Sequence, residues 1–318
     1  MRIRFWGTRG SLPVSLTAAD IKDKIVAAML GAAGKSLRTR PEVESFVERE
    51  LPFAVSHTYG GNSSCVEIDI DSGDYILCDL GTGARPFGQH VISKKGATPN
   101  TFHVFMSHLH WDHIMGFPFF APVYIPGNRI VIYGCHAAME EAFRRQHSAP
   151  CFPVDFAGLG AKVEFVRLEP GKHHRLAGLV VTPKLQRHTG GSYGYRFEHG
   201  GKVVVYSTDS EHKTDDASST QEFADFFRDA DLVIFDAMYS LADAVSVKED
   251  WGHSSNIVGI ELCQLARAKH LCMFHHEPVN SDAKIASVLQ ETLRYEEITR
   301  GDHTLQISSA YDGMEIVV

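Results

Sequence analysis

Short apolar runs rich in Val, Ile, Phe and Tyr recur along the chain, bounded by Gly, Asp and His, and several lack the strict alternation of a half-exposed strand. They predict strands near 2–7, 64–70, 74–79, 101–107, 129–133, 162–168, 179–187, 193–198, 202–208, 231–236, 270–274 and 304–308. Helical spacing falls near 17–31, 41–51, 136–147, 220–229, 254–268 and 282–297. In the fifth of these, Ile257, Ile260, Leu262, Leu265 and Ala268 approximate one apolar face behind Ser254 or Ser255 as cap. Periodicity alone gives a mixed α and β protein, without internal repeats or a low-complexity tract.

The ends of these runs carry the chemistry. The run 101–106 leads into Ser107-His108-Leu109-His110-Trp111-Asp112-His113, three imidazoles and a carboxylate in six positions. Neutral imidazole and carboxylate are the donors that zinc, manganese and iron accept at neutral pH, and residues this close converge on an ion without much loop closure. Further runs lead to His188, to Asp209, and to His275 and His276. Several strands thus deliver candidate ligands to one sheet edge, where open α/β sheets place their sites.

Composition bounds this reading. With 318 residues and 44% hydrophobic content, the chain can bury a large core. A net charge of −8 argues against a general nucleic-acid coat. Six Cys without a Cys-x-x-Cys pair read as reduced core thiols. No leader-like or membrane-spanning apolar segment is evident, so the expectation is a cytoplasmic protein with no membrane association.

On His108-x-His110-x-Asp112-His113, His188, Thr208-Asp209-Ser210 and Phe274-His275, in that order, the chain resembles the metallo-β-lactamase superfamily, specifically its ribonuclease Z and phosphodiesterase branch. Trp6-Gly7-Thr8-Arg9-Gly10-Ser11, Gly61-Asn62-Ser63-Ser64-Cys65 and Asp79-Leu80-Gly81-Thr82-Gly83 look like that branch's first three loops, so the resemblance covers nearly the whole chain. It implies an α/β fold, an αββα sandwich, as a single hydrolase domain over 1–318. It also implies two divalent ions, zinc by default with manganese as a substitute. One would be held by His108, His110 and His188, the other by Asp112, His113 and His275, with Asp209 bridging and His276 the competing choice for the last ligand. Asp112 would accept or orient the nucleophile's proton. Asp236-Ala237 resembles part of the branch's His-Glu-Ala-Thr motif, with Phe235 where that His would be, and Trp251-Gly252-His253-Ser254-Ser255 resembles its His-Ser-Thr motif. By that resemblance Asp236 orients His253, which acts on the phosphate or the leaving oxygen; the competing reading is a His that merely precedes a helix cap. Asn62, Ser63 and Tyr193 are candidate substrate contacts, and for Tyr193 plain packing is as good a reading. The remaining histidines (His57, His90, His103, His136, His147, His173, His174, His199, His212, His270 and His303) have no comparable context.

Two departures from the family pattern matter. Between Pro13 and Tyr59 an insertion over 15–52 carries a capping box at Thr17-Ala18-Ala19-Asp20, then Ile21, Ile25, Ala28 and Met29 at helical spacing, and a second helix from Pro41 through Val43, Phe46, Val47 and Leu51. It reads as a helical hairpin, either a lid over the pocket or an assembly element, and a homodimer is one expectation. The interval from His188 to Asp209 has no room for the arm with which tRNA-processing ribonuclease Z grips its substrate; a tight turn at His199-Gly200-Gly201 fills it. The expected function is therefore a di-metal phosphodiesterase acting on small nucleotide-like diesters such as cyclic nucleotides. The alternatives are an arm-less ribonuclease Z-like RNA endonuclease and, in another class, a carboxylic-ester, lactone or β-lactam hydrolase.

Overall fold

The computed structural model describes residues 1–96, 98–212, 217–240 and 252–318; Trp251 of the His-Ser-Thr-like segment lies outside them. The strands are β1 (Arg2–Gly7), β2 (Cys65–Asp69), β3 (Tyr75–Cys78), β4 (Thr101–Phe105), β5 (Arg129–Gly134), β6 (Lys162–Arg167), β7 (His174–Leu176), β8 (Leu179–Gln186), β9 (Ser192–His199), β10 (Lys202–Ser207), β11 (Leu232–Asp236), β12 (His270–Phe274), β13 (Gln306–Ser309) and β14 (Glu315–Val317). They form two seven-stranded sheets, ordered β14-β1-β2-β3-β4-β5-β6 and β13-β12-β11-β10-β9-β8-β7. In the first sheet β3 through β6 pair in parallel, and in the second β10 through β13 do; the other pairings are antiparallel.

The parallel strands are continuous apolar runs because both of their faces are covered. Phe105 of β4, Tyr206 of β10, Ile234 of β11 and Phe274 of β12 meet in the core between the sheets. Phe102 and Val104 turn the other way, toward Phe87 and Val91 of the helix Ala84–Lys95 and Phe143 of the helix Met139–Gln146. Val205, Val233, Phe235, Leu271 and Met273 face the helices Ala217–Phe227, Asn256–Leu265 and Asp282–Thr299. The result is the helix–sheet–sheet–helix sandwich expected.

Several elements differ from the expectation. The helix Ala84–Lys95 was not anticipated because Pro86 and Gly88 interrupt its pattern, yet Ala84, Phe87, Gly88 and Val91 form its buried stripe. A Cβ on Gly88 would lie 2.8 Å from Pro122 Cδ, so the close packing that disguises the helix also requires the glycine. The edge strands β7 and β14, with three residues each, were also missed. In the helix Asn256–Leu265 the buried face includes Gly259, Ile260 and Cys263, whereas Leu265 is exposed.

The insertion contains the helices Ala18–Gly31 and Arg40–Arg49. The first has the expected capping box, with Thr17 N donating to Asp20 Oδ2 at 2.8 Å and Asp20 N to Thr17 Oγ1 at 3.2 Å. The second is capped by Thr39, with Glu42 accepting from its backbone N–H. No residue of the first helix is buried, although its apolar spacing suggested a packed face. Lys24 ties it to the body through Asp282 Oδ2 at 2.7 Å and the His57 carbonyl at 2.8 Å.

Candidate metal centre

β4, β8, β10 and β12 all end at one rim, and each releases a donor there. Past β4 the chain turns through Ser107 into His108 and His110, then into the short helix Trp111–Ile114, which turns Asp112 and His113 inward. β8 leads to His188, β10 to Asp209 and β12 to His275. Asp209 and His275 take left-handed backbone conformations (φ 48° and 61°), as do Ser11 (55°) and Asp79 (60°) beside them. Such strain in non-glycine residues collects where side chains must be aimed.

The donors fall into two sets. His108, His110 and His188 each offer a ring nitrogen within 4.8 Å of the others, and Asp112, His113, Asp209 and His275 do the same. Asp209 stands between the sets. Its Oδ1 lies 3.1 Å from His113 Nε2 and 3.2 Å from His275 Nε2, and its Oδ2 lies 3.7 Å from both His108 Nε2 and His188 Nε2. Asp112 Oδ2 completes the second set, 3.2 Å from His113 Nε2 and 3.3 Å from His275 Nε2. His108 Nε2 and His113 Nε2 are buried without a hydrogen-bond partner. Inward-facing unpartnered nitrogens around shared carboxylates are costly unless a cation completes them, so the residues present fit a pair of divalent ions.

Electrostatics points the same way. Burial pushes the Asp209 carboxyl up, but His275, His113 and His108 outweigh it and hold it well below the usual carboxylate range. Asp112 is likewise lowered against its burial by His113 and His275. Burial drives His108 well below the ordinary histidine range, with the His113 charge adding to it, which favours the neutral, ligating form.

The surrounding bonds fix the rings. Asp79 Oδ2 accepts from His113 Nδ1 at 2.7 Å, Ser107 Oγ at 2.7 Å and Tyr206 OH at 2.8 Å, while its Oδ1 accepts from Ser107 N at 2.8 Å. That network leaves His113 Nε2 free to face the cluster. The Gly252 carbonyl, 2.8 Å from His188 Nδ1, does the same for His188. Gly252 itself has φ of +84°, and a Cβ there would lie 2.5 Å from that same nitrogen. Ser11 N donates to Asp112 Oδ2 at 2.8 Å, so the segment that enters the insertion touches the centre directly. Asp79 was visible only as part of a glycine-rich loop; its position at the end of a buried strand was the signal that could have singled it out.

His253 Nδ1 meets Asp236 Oδ2 at 2.7 Å, and its ring stacks on His275 at 5.2 Å. Burial lowers the His253 imidazole, but Asp236 outweighs it and raises it to about 9. Asp236 also accepts from Met238 N, and its Oδ1 lies 3.9 Å from His275 Nδ1, beyond hydrogen-bond distance. The adjacent Ser255 does cap the following helix, and that role coexists with the His253–Asp236 contact. Phe235 points away, into the core under the helices, where His212 stacks on it at 5.5 Å.

The structure does not bring His276 into the cluster. Its Nε2 bonds the Ala310 carbonyl at 2.8 Å and its backbone pairs with Thr8 and Gly10. Asn62 is tied to the turn between β13 and β14, its side chain and backbone N–H both donating to Asp312 Oδ2. Ser63 is buried and exchanges bonds with Thr82. Tyr193 packs edge-on against His136 at 5.0 Å. All six cysteines are free, and five are buried. No helix among the described residues is long and apolar enough to cross a membrane.

Comparison with known proteins agrees with this geometry. Residues 75–276 match the family described as the β-lactamase superfamily domain. No curated protein matches the chain. Among solved structures, the metallo-β-lactamase fold protein YhfI from Bacillus subtilis is similar at 16% identity with a TM-score of 0.63, over 99% of this chain and 98% of that one. A diphosphatase of the PhnP family is similar at 18% identity and a TM-score of 0.58, over 100% and 97%. The short form of human tRNase Z is similar at 18% identity and a TM-score of 0.58, over 100% and 99%. At these identities the likeness is one of fold.

Proposed function

The chain belongs to the metallo-β-lactamase superfamily, and from that premise we propose that it is a di-metal phosphodiesterase acting on small nucleotide-like diesters such as cyclic nucleotides. The carrying observation is Asp209, whose two carboxylate oxygens face two separate donor sets. His108, His110 and His188 would hold one ion, Asp112, His113 and His275 the other, and Asp209 both. Bound divalent ions supply Lewis acidity, which suits a hard, anionic phosphodiester.

The remaining chemistry belongs to the side chains. Asp112 Oδ2, already accepting the Ser11 N–H, orients the nucleophile or takes its proton. His253 commits Nδ1 to Asp236, which leaves Nε2 as the free nitrogen. The Asp236 carboxylate favours the protonated ring, from which Nε2 donates to the leaving oxygen. This pairing of an acid with an anion-binding centre favours phosphodiesters over β-lactams or lactones. The short span between β9 and β10, closed by Gly200 and Gly201, and the net charge of −8 both weigh against a folded tRNA as substrate.

The test is one panel. Protein reconstituted with zinc or manganese is offered bis(p-nitrophenyl) phosphate, cyclic nucleotides, a tRNA precursor, a lactone and nitrocefin. The proposal expects the small diesters to exceed tRNA-precursor cleavage in kcat/KM by at least about tenfold. Site-specific removal of a tRNA 3′ trailer with negligible action on small diesters would overturn it in favour of the endonuclease reading. Turnover confined to nitrocefin or the lactone would move the protein to another class.

A further inference from the structure

Trp111 stands between two residues of the cluster, His110 and Asp112, at the start of a four-residue helix. The inward positions of that helix are taken by Asp112, His113 and Ile114, all buried, so the indole cannot turn into the core without displacing one of them. It is instead 75% exposed, beside an exposed His110. Leu12, 58% exposed, follows Ser11, whose N–H holds Asp112 Oδ2. Two exposed large apolar residues are thus next in sequence to groups of the centre, Trp111 to Asp112 and Leu12 to Ser11. The loop that approaches His110 from after β8 does so through glycine, since a Cβ on Gly190 would lie 3.9 Å from His110 Nε2.

A single exposed apolar residue needs no explanation. An indole held by a rigid turn beside a centre suited to anions is different, because it offers a flat, sequence-tolerant surface to whatever the phosphate carries. We propose that Trp111 is the stacking platform for a planar base on the diester, with Leu12 bordering it, and that this platform sets the enzyme's preference for nucleotide-like over aliphatic diesters. The inference rests on the phosphodiesterase reading for its substrate and adds the residue that selects it.

The test compares thymidine 5′-(p-nitrophenyl phosphate) with methyl p-nitrophenyl phosphate, which release the same leaving group and differ in carrying a nucleoside or a methyl group. The ratio of their kcat/KM values should fall about tenfold in Trp111→Ala, equivalent to about 1.4 kcal/mol, and stay within about threefold of wild type in Trp111→Phe. Metal content and thermal midpoint, measured on each variant, separate this from misfolding. An unchanged ratio, or an equal loss on both diesters, overturns the inference. If neither diester is cleaved, the phosphodiesterase reading fails and binding decides the platform. Thymidine 5′-monophosphate should then quench tryptophan emission in the wild type and not in Trp111→Phe, and identical quenching in both would overturn it.

Discussion

Replacing Asp79 by Asn should damage both the fold and the metal centre while changing one atom. The Asp79 side chain is fully buried and accepts four hydrogen bonds, three of them on Oδ2. Whichever way the amide turns, its NH2 group faces donors: Ser107 N–H in one orientation, and His113, Ser107 and Tyr206 in the other. The amide loses least when its oxygen takes the place of Oδ2 and only the Ser107 N–H faces the NH2 group, so at about 1–3 kcal/mol for a donor left without an acceptor the expected loss is about 1–3 kcal/mol. His113 would exchange a carboxylate partner for a neutral amide oxygen, and disturbing such a partner lowers metal affinity by about 10- to 100-fold. Tyr206→Phe removes one donor and leaves the rest of the network, so it should cost only about 1 kcal/mol and leave affinity near wild type. Urea denaturation of the metal-free proteins and zinc competition against a chromogenic chelator measure the two effects. An Asp79→Asn protein within about 0.5 kcal/mol of wild type, with unchanged zinc competition, would refute the role assigned to this network.

His253→Ala should lower turnover by about 10²- to 10⁴-fold with metal content intact, and less for good leaving groups; equal loss for good and poor leaving groups would assign it to phosphate positioning instead. Replacing 15–52 with a short Gly-Ser turn removes the Lys24–Asp282 contact but leaves Asp282 bonded to Tyr59 N at 2.9 Å. Fold and metals should survive and the activity ratio between small and large diesters should change, whereas loss of a dimer at constant selectivity would make the insertion an assembly element. Burial lowers His212 to about 3 and His270 to about 4. The unfolded chain takes up these protons below about pH 6.5 and the folded chain does not, so stability should fall as pH drops from there toward 4, by up to about 1.4 kcal/mol per unit for each residue. Urea midpoints across that range should fall less steeply in His270→Gln, and parallel curves would count against the assignment.

The sandwich and its rim were legible because buried parallel strands are unbroken apolar runs, so the donors at their ends, His108, His188, Asp209 and His275, stand out against what precedes them. Convergence was not legible. Nothing in the spacing of Asp209 says that its two oxygens face different donor sets, since that depends on a left-handed backbone and on pairings across the sheet. The contrast between His275 and His276 is of the same kind: adjacent residues leave a strand in opposite directions, and only the strand's placement decides which enters the cluster. The helix Ala84–Lys95 was hidden by a proline in its first turn and a glycine at a tight contact. The first helix of the insertion failed in the other direction, since Ile21, Ile25 and Met29 repeat at helical spacing yet remain exposed. Periodicity reports which side of a helix is apolar, without reporting what covers it.

The central claim is that Asp209 joins two metal sites, and elemental analysis of the wild type beside Asp209→Ala tests it most directly. After reconstitution the wild type should hold close to two ions per chain, and the variant should lose occupancy at both positions together with turnover, because each carboxylate oxygen serves a different set. Unchanged occupancy in Asp209→Ala, or a wild type that holds no metal after reconstitution, would contradict it.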